Sequence, residues 1–72
     1  MNASLLRMTM EVKDVKVGDI CQALGISRAS WFRKMKGITQ FTREEISGIS
    51  RVLFLDDVQL IQIFFPKKVT DN

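Results

Sequence analysis

Apolar and polar positions follow one another along this chain with a helical period, and the period is interrupted at short intervals by turn residues. Leu5, Met8 and Val12 recur at i, i+3 and i+7, Leu6 and Met10 widen that face, and Ser4 stands as the available cap, so the spacing predicts a helix over residues 2–12. The stretch Lys13, Asp14, Val15, Lys16 is polar with β-branched interruptions and reads as a connection. Ile20 and Leu24 fall one turn apart with Cys21 beside them, and Gly25 occupies the place of a C-terminal glycine, which gives a short helix over 17–24. Ser27 can cap another over 28–36, with Trp31 and Met35 at i, i+4 and Gly37 as its stop. Thr42, Arg43, Glu44 and Glu45 spell a capping box with Phe41 as a staple, opening a helix over 43–53 whose inner face is Ile46, Ile49 and Leu53. Asp56, with Gln59 three residues on, opens a last helix over 57–65. Val58, Ile61 and Phe65 give it a buried stripe, and Leu60, Ile63 and Phe64 supplement them as ordinary core or as a protein-contact or dimer patch. The expectation is an all-α, compact five-helix domain over residues 1–66, with Pro66 near its end and a flexible tail over 67–72.

One pair of helices carries more information than the others. Only Gly25 and Ile26 separate the second from the third, so the two cannot lie antiparallel and must cross steeply, as in a helix-turn-helix. Ile20 and Leu24 anchor the first of the pair, Cys21 is small enough for close approach, and Ile26 with Trp31 plugs the second into the core. Ala29, Phe32, Arg33 and Lys36 then share the face opposite Trp31 and Met35, and Arg28 lies near the N-terminus. In a DNA major groove Arg28 and Arg33 can each donate two hydrogen bonds to guanine, and Ala29 can meet a thymine methyl. Ser27, Lys16 and Lys36 suit phosphates, which position a protein without specifying a sequence.

Composition narrows the function classes. Seventy-two residues allow one domain and one modest core, and a core of this size supplies only about 3–5 kcal/mol, so a second copy or a partner would reinforce it. Apolar residues at 46% and charged residues at 26% are the balance of a chain that folds. The net charge of +3 is modest, but between Ile20 and Thr42 it is all of one sign: Arg28, Arg33, Lys34 and Lys36 stand there without an acid. There is no histidine and a single cysteine, Cys21, which leaves no internal disulfide, no zinc set and no His-based acid/base pair. A binding protein without cofactor or metal is expected, not an enzyme. No apolar run approaches the roughly 18 residues of a membrane span and the first residues lack the order of a secretory signal, so a cytoplasmic protein with no membrane partner is expected.

The run Leu24-Gly25-Ile26-Ser27-Arg28-Ala29-Ser30-Trp31-Phe32-Arg33-Lys34-Met35-Lys36-Gly37 resembles the helix-turn-helix family of Cro and the phage repressors. The likeness continues through Phe41-Thr42 and Ile63-Phe64-Phe65, covering about residues 5–65. It implies a lambda-repressor-like, five-helix DNA-binding domain acting in a genetic switch. Within that family, a small stand-alone chain of this kind resembles the modulator-of-repression proteins of temperate phages. This implies an anti-repressor that binds the phage repressor near its DNA-reading domain and tips the choice between lysogeny and lysis. The sequence departs from the family at Lys16 and Val17, where a Thr or Ser followed by Gln is usual, and Gly18 weakens the same turn by about 1 kcal/mol relative to alanine. The apolar anchor expected at Lys34 has moved to Met35, and Phe32 places a large apolar group where a polar one is more common. Two functions follow. A regulator that holds a repressor would meet that partner's basic DNA-binding surface with acids flanking the motif, Glu11, Asp14 and Asp19 being nearest in sequence. The alternative is an autonomous Cro-like repressor that binds double-stranded operator DNA as a homodimer.

Overall fold

In the computed structural model, which describes residues 1–67, five helices follow in order: α1 (Ala3–Val12), α2 (Val17–Leu24), α3 (Arg28–Met35), α4 (Arg43–Leu53) and α5 (Asp57–Phe64). Among the described residues there is no strand, and one core serves all five helices. The tail expected over 67–72 lies outside the described residues apart from Lys67.

Each helix starts where a side chain can take up an orphan backbone amide. Asn2, not Ser4, caps α1: its Oδ1 accepts from the Leu5 N–H at 3.0 Å. The Asn2 N–H itself donates to the Ile63 carbonyl at 2.6 Å, so the start of α1 is also tied to the end of α5. Ser27 Oγ accepts from the Ser30 N–H at 3.1 Å at the start of α3. Thr42 with Glu45 and Asp56 with Gln59 form complete capping boxes on α4 and α5. At α2 only half of one exists. Asp19 Oδ2 accepts from the Lys16 N–H at 3.4 Å, but a lysine side chain has no acceptor with which to reciprocate.

The first four helices end alike. Asp14, Gly25, Gly37 and Phe54 all have positive φ, and in each case the following N–H reaches back five residues: Val15 to Met10, Ile26 to Cys21, Ile38 to Arg33 and Leu55 to Ser50. This is the Schellman closure, which a left-handed residue makes possible. Glycine adopts that backbone without cost at two of the four seats, whereas Phe54 carries a full side chain there and leaves it 86% exposed.

The core is built from Leu6, Met10, Ile20, Cys21, Trp31, Ile49, Leu53, Ile63 and Phe64. Three rings form a row through it: Trp31 meets Phe41 edge-on at 5.4 Å, and Phe41 meets Phe64 edge-on at 6.0 Å. Gly48 lets α4 close on α2, because a Cβ there would stand 2.6 Å from a Leu24 methyl. Lys13 reaches from the end of α1 to donate its Nζ to the Leu53 carbonyl at the C-terminus of α4, where a cation also suits the helix dipole.

Two buried faces differ from those the spacing predicted. On α1, Leu6 and Met10 face inward while Met8 and Val12 are exposed. On α5, Leu60, Ile63 and Phe64 face inward, and the expected stripe of Val58, Ile61 and Phe65 is exposed. Both helices carry apolar residues on more than one side, so period alone admits two rotations. The Asn2 bond to Ile63 and the Phe64 ring against Phe41 select the observed one.

The helix ends give a direct check. Replacing Gly25 by Ala will lower the unfolding free energy by roughly 1–2 kcal/mol, the cost of a Cβ in the left-handed region. Phe54→Gly will raise it by up to about 1 kcal/mol, since little burial is lost; urea denaturation followed by circular dichroism measures both.

Candidate functional site

The Gly25 turn and the Trp31 side chain together fix how α3 is presented. With Trp31 fully buried and Met35 half-buried on one side, Ala29, Phe32, Arg33 and Lys36 are all exposed on the other. Phe32 is 50% exposed, a large ring on the face that also carries Arg33 and Lys36. Ile38, in the connection after Gly37, is more exposed still and adds a second apolar group that the sequence reading missed. Its signal was its place: the residue after a left-handed glycine usually covers the preceding helix, and here it does not.

Arg28 is exposed but lies back across the first turn of α2. A Cβ on Gly18 would come within 2.7 Å of its Nη2, so the glycine that weakens α2 also makes room for this guanidinium. Burial pushes the Cys21 thiol above its ordinary pKa, partly offset by the positive charge of Arg28. The thiol donates to the Ser27 carbonyl at 3.9 Å, a packing contact inside the turn.

Lys34, grouped by sequence with the basic face, is turned inward. Its Nζ stands 3.1 Å from Glu45 Oε1, donates to the Gln40 carbonyl at 3.1 Å and lies 5.8 Å from the centre of the Phe41 ring. The two side chains of the pair are only 10% and 15% exposed. Lys34 thus fills the anchor position with its aliphatic stem and brings its charge to Glu45. The same Glu45 carboxylate accepts from the Thr42 N–H at 2.9 Å. Burial opposes ionisation of Glu45, but the Thr42 amide and the Lys34 ammonium outweigh it and hold the carboxyl below its ordinary value. The exposed cations of the motif are therefore Arg28, Arg33 and Lys36.

The remaining sequence candidates gather on the other side of the turn. Lys16 Nζ and Asp14 Oδ1 form a solvent-exposed ion pair at 3.6 Å, worth well under about 1 kcal/mol. Val17 is half-buried against the core and offers little surface. Glu11, Asp14, Lys16 and Val17 line an open groove of about 540 Å³ between α1 and the start of α2, together with Arg7 and Met10. Asp19 lies outside it, on the exposed side of α2, where it accepts from the Lys16 amide.

The arrangement offers hydrogen-bond donors, one ring and a mixed-charge groove, which is equipment for binding. Among the described residues no group of three or more His, Cys, Asp or Glu comes together as a metal site, and no helix is long and apolar enough to cross a membrane. No protein-family model, curated protein or solved structure matches the chain.

Glu45→Gln keeps an acceptor for the capping box but removes the charge facing Lys34. Because the carboxyl is depressed in the folded state, its contribution is complete above its ordinary pKa of 4.5 and is lost as pH falls through the lower folded value. The variant will be less stable than the parent by roughly 1–2 kcal/mol at pH 7, and the gap will close as the pH is brought below the folded value. Denaturation midpoints measured across the acid range read this directly.

Proposed function

We propose that this chain is a phage-type helix-turn-helix regulator of a lysogeny/lysis switch, working in the host cytoplasm as a modulator of repression that binds a partner repressor. The observation that carries the reading is Phe32, half-exposed on the outward face of α3 that also carries Arg33 and Lys36. Aromatic residues, phenylalanine among them, and arginine are enriched in the cores of protein interfaces, where a large ring excludes water from the groups around it. The resemblance of residues 24–37 to the phage-repressor motif supplies the class of partner. The acids Glu11, Asp14 and Asp19, all exposed around the start of α2, supply charge suited to a basic DNA-reading surface.

The second reading is a Cro-like repressor binding operator DNA by itself, favoured by the exposed Arg33 and Lys36 on the projecting helix. One feature weighs against strong autonomous binding: Arg28 lies back over Gly18.

Titration of the purified chain, alone and with the neighbouring repressor, against their intergenic DNA separates the two. The modulator reading expects weak binding of DNA by the chain alone, capture of the repressor, and a loss of about tenfold or more in that capture for Phe32→Ala. Tight DNA binding by the isolated chain that falls steeply with salt, with Arg33→Ala weakening it about tenfold or more at fixed salt, would establish the operator-binding reading instead. Failure to capture the repressor would remove the modulator.

A further inference from the structure

A second concavity lies beside α3. The last turn of that helix, the connection after Gly37, the start of α4 and the end of α5 border a pocket of about 470 Å³. It is more closed than the groove between α1 and α2, and its volume falls within the roughly 300–1,000 Å³ of small-molecule sites. Met35, Phe41, Ile46 and Phe64 supply an apolar wall, and Thr39 and Gln40 belong to an exposed polar rim. Lys34 and Lys36 also line the pocket, and among the described residues no acid does. Glu45, which neutralises Lys34, stands outside that lining. The charge left over is that of Lys36, exposed and in no ion pair among the described residues. Lys34 adds a donor: an ammonium has three, and the Gln40 carbonyl and the Glu45 carboxylate take two.

We propose that this pocket binds a small amphipathic carboxylate, a molecule with one anionic head and an aliphatic or aromatic body. The wall takes the body out of water, and the lysines take the head through charge-assisted hydrogen bonds. A neutral apolar ligand would desolvate the lysines without pairing them, a bare anion would leave the wall wet, and a cation would meet like charge. Lys36 belongs both to this pocket and to the outward face of α3, so a carboxylate bound here engages one of the two cations at the front of that face. An occupied pocket therefore opposes any anionic partner of α3. The site is separate from Phe32, and the inference holds whether α3 meets a repressor or DNA.

Calorimetric titration of the full chain with sodium decanoate tests the proposal, with amide NMR to place the ligand. The expected result is one saturable site per chain with a Kd on the order of 1 mM or tighter and an unchanged helical circular dichroism. Amide shifts will appear at Gly37, Thr39 and Gln40 and not at Val15 or Val17 in the other groove. Trp31, the sole tryptophan, has its ring 5.4 Å from that of Phe41, and its fluorescence will change in step. Decanol, with the same body and no charge, and acetate, with the same head and no body, will each bind about tenfold or more weakly. Lys36→Glu will weaken decanoate binding about tenfold or more. Arg33→Glu makes the same change of charge outside the lining and will weaken it by about twofold at most in physiological salt. Lys36→Gln serves, with a loss in the same direction, if the charge reversal fails to fold. No saturation by about 10 mM, decanol binding as tightly as decanoate, or equal losses from the two charge reversals overturns the proposal. Uptake of several decanoates per chain with loss of helicity, or shifts confined to the α1–α2 groove, would equally overturn it.

Discussion

The edge-on row of Trp31, Phe41 and Phe64 is the contact on which much of the rest of the molecule depends, because it joins three parts of the chain that are distant in sequence. Trp31 turns α3 so that Phe32, Arg33 and Lys36 face solvent. Phe64 turns α5 so that Val58 and Ile61 do the same. Phe41, between them, also supports the ammonium of Lys34, and through it Glu45 and the start of α4. Both outward faces thus depend on this row of inward contacts, with the Gly25 turn and the Asn2 bond to Ile63 beside it, and a helix rotated by one residue would exchange exposed groups for buried ones on either side.

What the sequence disclosed best was punctuation. Gly25, Gly37, Ser27, Thr42 and Asp56 act locally, within four residues of themselves, and their chemistry places helix ends without knowledge of the fold. The observed ends fall within a residue of expectation for that reason: Asn2 turns out to be the cap of α1, and Lys36 and Phe65 close α3 and α5 instead of continuing them. Faces were harder to read. Where α4 offers one clear stripe, Ile49 and Leu53 are buried as the spacing required. Where α1 and α5 offer two, the choice rests on contacts between residues 2 and 63 or 41 and 64, which no local pattern contains.

The candidate surface was legible in outline and altered in detail by partners distant in sequence. Ala29, Phe32, Arg33 and Lys36 stand together on the exposed side because they follow from the helical period once Trp31 is placed inside. Lys34 left the group because Glu45, eleven residues on, offers a carboxylate beside an aromatic face. Arg28 bends away because Gly18, ten residues earlier, leaves a vacant spot for it. The outcome is a division of charge: one cation is used to hold the fold together, one lies over α2, and two remain at the front. The modest net charge of the chain therefore overstates what this face presents.

The four left-handed closures have a further consequence for how the molecule meets anything else. Each connection bounded by Asp14, Gly25 or Phe54 is short and fastened by its own backbone hydrogen bonds, and the longer one after Gly37 is fastened at its start. Little slack remains by which α3 could tilt toward a ligand. Adjustment on encounter must then come from side chains or from the other molecule, and the entropy lost in ordering this chain has already been met during folding. Such a body would act as a rigid template, favouring a ligand whose surface already complements its own.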